Sequence, residues 1–303
     1  MTEPASSWTD TKESGALWQL RLMHYLARKT PSLIVDPLLW LIALFFALDK
    51  RRSTTQASAQ YLRRILNREP TLLERQRHAL AFSHVFLDRV RLLSSGLGQF
   101  SIEAEGQELV SQLVSQGRGA VLLGAHFGSF EALRAFDQEL PGLSVRYLMY
   151  PNHAQKSTTM LDELAPEMAD KVISLTNGPM AMIEVFEALN NGEFVAILGD
   201  RLPDKSVRAK VSVQFLGNPI DVPTSPYMSA MAAKVPIILS VATWLEKDKY
   251  AANFSLLHDG SKVPRSERKQ QTLSLAQSYA SALEDMCHRN PYNWFNFFDI
   301  WGE

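Results

Sequence analysis

From about residue 98 onward the chain alternates between two rhythms, and that alternation restricts its fold more than any other feature. Short apolar runs of strand length fall at 100–104, 119–124, 143–149, 172–175, 193–198, 210–215, 236–244 and 250–257. Helix-period segments lie between them at 106–116, 128–138, 154–165, 179–190 and 224–233, with a last helix from Ser266 to about Arg289. Gly117 and Gly192 stand where a helix C-terminus favours glycine. Short apolar strands alternating with helices predict an α/β fold: a mostly parallel central sheet flanked by helices.

The first 97 residues read as helices only. Thr30-Pro31 starts one helix, Ser53 caps a second to Leu66, and Thr71-Leu-Leu-Glu74 forms a capping box ahead of a third that runs to about Leu93. Ser94 to Gly98 then breaks the chain. The expected organisation is an N-terminal helical, membrane-associating region over 1–97 and an α/β domain over 98–303.

Charge supports that division. The whole chain carries a formal net charge of −1, which excludes a dedicated nucleic-acid binder on global electrostatics. Yet Arg21 through Arg77 holds eleven Lys/Arg and four acids, a local +7. Inside this basic stretch lies the apolar run Leu38 to Leu48. As helix it spans about 16 Å, short of the roughly 30 Å hydrocarbon core. Two readings stand: a helix lying in a membrane surface beside a polybasic patch, or a buried core helix with solvated basic neighbours. The polar start MTEPASSWTDTKESG lacks the basic and apolar regions of a secretory signal, so a cytosol-facing protein is expected. The single cysteine, Cys287, excludes an internal disulfide.

The densest chemistry lies in AVLLGAHFGSFEALRAF, Ala120 to Phe136. An apolar strand runs into Gly124-Ala-His126-Phe-Gly128, and a helix follows with Glu131 in its first turn. Seven histidines and 32 acids in 303 residues give about 0.7 chance matches to His-x4-Glu, so spacing alone is weak evidence. The strand–turn–helix context strengthens it, because open α/β sheets place their sites at the carboxyl ends of strands. There His126 could take a proton from a hydroxyl at neutral pH, and a carboxylate on its other ring nitrogen would fix the tautomer. Backbone N–H groups of Gly128 and Ser129 at the helix start could hold an oxyanion. The competing reading is a structural histidine that caps a helix.

A second apolar strand ends in Gly199-Asp200-Arg201. A guanidinium there suits a phosphate, and Asp200 could orient Arg201 or His126; an ordinary surface ion pair is the alternative. Tyr147, Tyr150 and His153 follow a strand end and could line an acceptor pocket or belong to a polar loop. His78 and His84 read as packing or surface residues. YNWFNFFDIW near the C-terminus holds six aromatics in ten residues. It could cover an acyl channel, sit at a membrane interface, or pack in the core.

Together these pieces resemble the lysophospholipid acyltransferase superfamily, and within it the bacterial lipid A biosynthesis (lauroyl/myristoyl-type) branch. The resemblance rests on Gly124-Ala-His126-Phe-Gly128 with Glu131, Gly199-Asp200-Arg201, Phe215-Leu-Gly217, the Pro223 to Pro226 turn, the FSHVFLDR stretch and the aromatic ending. The nearest likeness is to predicted acyltransferases of aryl-polyene-type lipid pathways. The resemblance implies transfer of a fatty-acyl or polyene-acyl group from an acyl carrier protein or coenzyme A thioester to a hydroxyl or amine of a lipid-like acceptor. His126 would be the general base, Glu131 its orienting partner and Arg201 a phosphate ligand beside Asp200. No metal or other cofactor is implied. A location on the cytoplasmic face of the bacterial inner membrane, peripheral or shallowly anchored, follows from the same likeness. The lipid A enzymes usually open with a clear membrane-spanning helix, whereas the apolar run here is short and interrupted, and Gly-Asp-Arg differs from their acidic motif. Two other functions fit the residues: an acyl-thioester hydrolase using the same His–Glu pair, and a non-catalytic acyl-carrier or lipid-binding protein.

Overall fold

The computed structural model describes residues 32–49, 51–95, 97–137, 140–149, 170–202 and 207–302. The expected helix at 154–165, the start at Thr30-Pro31, and Tyr150 and His153 lie outside the described residues.

Among the described residues three helices come first: α1 (Ser32–Leu48), α2 (Ser53–Leu66) and α3 (Leu72–Ser95). The capping box forms as its sequence requires. Glu74 N donates to Thr71 Oγ1 at 3.3 Å, and Thr71 N donates to Glu74 Oε2 at 2.8 Å. At α2 the N-cap is Arg52, without a side-chain cap, and Ser53 is already helical.

Strands and helices then alternate through β1 (Ser101–Glu105), α4 (Gln107–Ser115), β2 (Ala120–Gly124), α5 (Phe130–Asp137), β3 (Val145–Met149) and β4 (Val172–Ser174). They continue through α6 (Pro179–Asn190), β5 (Phe194–Leu198), β6 (Lys210–Phe215), β7 (Asn218–Pro223), α7 (Ser225–Ala233), β8 (Ile237–Glu246), β9 (Lys249–His258) and α8 (Arg268–Arg289). Seven strands form the main sheet in the order β1-β9-β8-β2-β5-β3-β4, with every pairing parallel except β8 with β9. The expected mostly parallel sheet flanked by helices is therefore present.

The sheet is covered on both faces, and alternation along each strand decides which side chain faces which cover. Val121 and Leu123 of β2 join one core with Val195 and Ile197 of β5 and with Val185, Tyr227 and Tyr279 of α6, α7 and α8. Ala120 and Leu122 face the other core, which contains Val85 and Leu92 of α3, Val110 of α4 and Leu133 of α5. Tyr61 and Leu62 of α2 belong to the first core. Helix α2 thus shares one hydrophobic core with the sheet and α3 the other.

Helix α1 buries one stripe. Val35, Leu39, Ala43 and Ala47 recur every four residues and are almost fully buried, and the first two pack on Leu87 and Val90 of α3. The rest of its apolar surface faces outward: Leu33, Ile34, Trp40, Leu41, Phe45 and Leu48 are all exposed. No helix among the described residues is long and apolar enough to cross a membrane.

Strand β7 is absent from the strands expected above. It pairs with β6 in a separate two-stranded ribbon, so Pro219 and Pro223 interrupt no ladder of the main sheet. The two strands turn through Leu216 and Gly217, both at positive φ, the backbone of a tight hairpin.

Candidate active site

Two loops at the carboxyl end of the sheet meet because of strand register. β2 and β5 are parallel neighbours, and Gly124 pairs with Leu198. Two residues beyond each of these stand His126 and Asp200. The register therefore sets an imidazole beside a carboxylate that lies 74 residues away in sequence.

The turn that carries His126 depends on glycine. Gly128 has φ +59°, and a Cβ on it would lie 1.8 Å from the Ala242 carbonyl oxygen. Ser129 then starts α5, its Oγ accepting from Ala132 N at 3.1 Å. The C-terminal segment closes over the same turn. Phe127 forms an antiparallel bridge with Trp294, and Phe295 N donates to the His126 carbonyl at 2.7 Å.

Asp200 is almost fully buried, whereas a third of the His126 side chain is exposed. The Asp200 carboxylate has three donors around it. His126 Nδ1 lies 2.8 Å from Oδ1, and the His126 backbone N–H and the Trp294 indole N–H both reach Oδ2 at 3.0 Å. Burial raises the Asp200 pKa, but its pairing with His126, through the ring and the backbone N–H, and the charge of Arg201 outweigh it and hold the carboxyl well below the usual range. His126 is pushed below the ordinary imidazole value by burial and by the positive charge of Arg201, with Asp200 opposing. At neutral pH the pair is a carboxylate and a neutral imidazole. Arg201 places Nε 2.9 Å from His126 Nδ1 and its guanidinium 4.7 Å from the Phe298 ring centre. Burial lowers Arg201 to about 10, so it remains a cation.

His126 opens onto a groove of about 1600 Å³, larger than the roughly 300–1,000 Å³ typical of single small-ligand sites. Glu131, Arg89 and Arg201 add polar groups to its lining; Phe82, Phe86, Phe130, Leu148 and Phe297 supply apolar wall. Phe46 and Ala47 at the end of α1 line it as well, so the groove reaches the helix with the outward apolar surface. Tyr147 also borders it. Among the described residues, no three His, Cys, Asp or Glu side chains gather so as to hold a metal ion.

The site is thus a buried carboxylate holding a groove-facing histidine at the end of a parallel strand. The family model of bacterial lipid A biosynthesis acyltransferases matches residues 85–302. The chain belongs to that family. A search of curated proteins finds no match. The acyltransferase is thus a member of a family that transfers acyl groups in lipid biosynthesis, as the sequence resemblance implied.

Its geometry changes two details of the sequence reading. Glu131 lines the same groove as His126, but its carboxylate pairs with Arg89 of α3 at 2.8 Å; the carboxylate on the imidazole is that of Asp200. The oxyanion role expected for Gly128 and Ser129 also fails. Gly128 N donates to the Asn293 carbonyl and Ser129 N to the Ala242 carbonyl, both at 2.8 Å, so neither N–H is available to a substrate. Their roles in the acyltransferase are to fit the turn against β8 and to cap α5.

Two site residues escaped the sequence reading. Trp294 was visible only as one of several aromatics near the C-terminus. Arg89 lies in FSHVFLDR with nothing local to connect it to Glu131. His78 is fully buried between Ser58 Oγ, 2.8 Å from Nδ1, and the Trp294 carbonyl, 2.9 Å from Nε2, and burial lowers it to about 4. Cys287 is buried and its thiol is pushed well above the usual range by burial.

Proposed function

We propose that this acyltransferase moves an acyl group from a carrier-protein or coenzyme A thioester to a hydroxyl or amine of a lipid-like acceptor, with His126 as general base. The observation that carries this reading is the His126–Asp200 pair at the edge of an apolar-walled groove. With Nδ1–H donated to the ionised Asp200, the lone pair of His126 rests on Nε2. Nε2 takes the acceptor's proton as its oxygen or nitrogen attacks the thioester carbonyl. The carbon–sulfur bond of the tetrahedral intermediate then breaks, and the imidazolium returns the proton to the departing thiolate. Charge on the oxyanion falls to Arg201 rather than to the turn's backbone. Glu131, tied to Arg89, shapes the polar wall on which the acceptor rests. The apolar wall takes the acyl chain, and at about 0.8 kcal/mol per buried methylene its depth sets chain-length preference.

We also assign the outward face of α1 to the membrane surface, which brings the groove mouth to a bilayer-borne acceptor. The location that follows is peripheral, on the cytoplasmic face of the bacterial inner membrane.

Incubating the purified full-length protein with an acyl thioester, with and without lipid extract, tests the reaction. Acylated lipid is expected only with extract, and His126→Ala should lower its formation by about 10²- to 10⁴-fold. Undiminished transfer by His126→Ala would refute the assignment. Fast thioester loss without an acceptor would replace transfer by hydrolysis.

A further inference from the structure

His126 Nδ1 has two neighbours that make opposite demands. Asp200 Oδ1 at 2.8 Å can only accept, so it requires a proton on Nδ1. Arg201 Nε–H at 2.9 Å can only donate, so it requires a bare Nδ1. A neutral imidazole carries one proton, and the two contacts cannot both be hydrogen bonds. If Asp200 prevails, Nε2 is left with a lone pair and can act as a base. If Arg201 prevails, the proton sits on Nε2 and the base is lost. Catalytic competence thus depends on what holds Asp200 in place.

Among the described residues, two donors besides Nδ1 hold the carboxylate: the His126 backbone N–H and the Trp294 indole. The Trp294 indole N–H meets Asp200 Oδ2 at 3.0 Å. This indole is itself immobilised. It is fully buried, and the rings of Tyr61 and Phe215 lie edge-on with centres 5.0 Å away. Its carbonyl accepts from His78 Nε2 at 2.9 Å. Since a carbonyl accepts only, His78 carries its proton on Nε2, and its Nδ1 accepts from Ser58 Oγ at 2.8 Å. On either side of Trp294 the backbone is pinned to the His126 turn, by Gly128 N to the Asn293 carbonyl at 2.8 Å and by Phe295 N to the His126 carbonyl at 2.7 Å.

We propose that Trp294 is a positioning residue that selects the tautomer of His126: its indole N–H fixes the Asp200 carboxylate so that Nδ1 keeps its proton against the competing Arg201. The kinetic part of this inference rests on His126 acting as the base; the tautomer part does not.

The test is the ¹⁵N NMR spectrum of the full-length protein labelled at histidine, with His126 assigned by loss of its signals in His126→Asn. Two replacements remove the indole N–H: Trp294→Phe, and benzothienylalanine at the same position, which keeps the bicyclic shape with sulfur in place of N–H. Above the His126 titration the native protein should show a protonated Nδ1 and a bare Nε2. Both replacements should move the signals toward the Nε2–H form while those of His78 stay fixed. With these changes kcat for acyl transfer should fall about tenfold to a hundredfold, with KM within about twofold of native. An unchanged Nδ1–H form in the benzothienylalanine protein would overturn the proposal, whatever happens to Trp294→Phe. If the native protein transfers no acyl group at all, the transferase reading fails, and the tautomer shift alone still decides the role of Trp294.

Discussion

The outward face of α1 gives a prediction whose size follows from exposure. Leu41 and Phe45 lie one helical turn apart, and each is 58% exposed. Full burial of a Leu or Phe side chain is worth about 1.5–3 kcal/mol. The exposed share of each therefore offers a bilayer about 1–1.5 kcal/mol. Replacing both by serine should remove about 2–3 kcal/mol of membrane affinity, or a 30- to 150-fold loss of partitioning at about 1.4 kcal/mol per tenfold. The fold should be spared, because the buried stripe of α1 is Val35, Leu39, Ala43 and Ala47, the first two packed on α3. Co-sedimentation with sucrose-loaded vesicles, over a range of lipid concentrations and at fixed anionic-lipid content, reads the partition coefficient. Thermal melts of native and doubly substituted protein check the fold. If partitioning stays within about threefold of native while the melts agree, α1 is not the membrane-facing surface.

Four further expectations concern the site and its supports. Asp200→Asn places an amide among three donors, so its NH₂ meets a lone pair only if Nδ1 gives up its proton; kcat should fall about 10³- to 10⁴-fold with the wrong tautomer, and a loss under threefold in steady-state assays would refute the pairing. In the proposed mechanism neutral His126 is the active form, and its pKa is lowered, so the acid limb of kcat/KM should lie below pH 6.5, activity being lost as pH falls through it; a limb above 6.5 in the pH–rate profile would contradict this. His78 titrates at about 4 when folded and about 6.5 when unfolded, so its contribution is complete above 6.5 and is lost as pH falls toward 4. Relative to His78→Gln, the native protein should lose about 2 kcal/mol of urea-unfolding stability between pH 7 and pH 5; equal losses would exclude this role. Gly128→Ala meets the Ala242 carbonyl at 1.8 Å, whereas Gly217→Ala, also at positive φ, meets nothing within 4 Å. The first should lower the melting temperature and activity strongly, the second should cost only the roughly 1–2 kcal/mol of left-handed backbone, and similar melts for both would refute the close-packing argument.

Local pattern carried most of the fold, since strand and helix periods are local properties. The expected strands at 119–124 and 193–198 differ from β2 and β5 by one residue at their starts, and 210–215 coincides with β6. The capping box at Thr71 and Glu74 is likewise local, and it formed. β7 is absent from the expected strands because Pro219 and Pro223 signal against a strand, a rule that holds for central strands and not for a two-stranded ribbon, where both strands are edges.

The two clusters of the site were each legible, and Asp200 was open as a partner of either Arg201 or His126; which carboxylate meets the imidazole was not legible. Sequence spacing directed attention to Glu131, five residues from His126, because proximity along the chain is the one distance a sequence displays. The distance that matters arises from the pairing of Gly124 with Leu198, which no single segment encodes: a shift of that register by one residue would move Asp200 away from Nδ1 and turn its side chain to the other face. The same reasoning explains the backbone. A glycine and a serine at a helix start look like anion donors until the strand and tail that take their N–H groups, Ala242 and Asn293, are placed beside them. Those carbonyls occupy the N–H groups of the turn, which is why the proposed mechanism gives the oxyanion charge to the nearby cation, Arg201. The chemistry of this site is thus specified by three distant segments, β2 with its turn, the end of β5 and the C-terminal tail. Substitutions at Asp200 or Trp294 should act on His126 through hydrogen bonds rather than through contact with substrate.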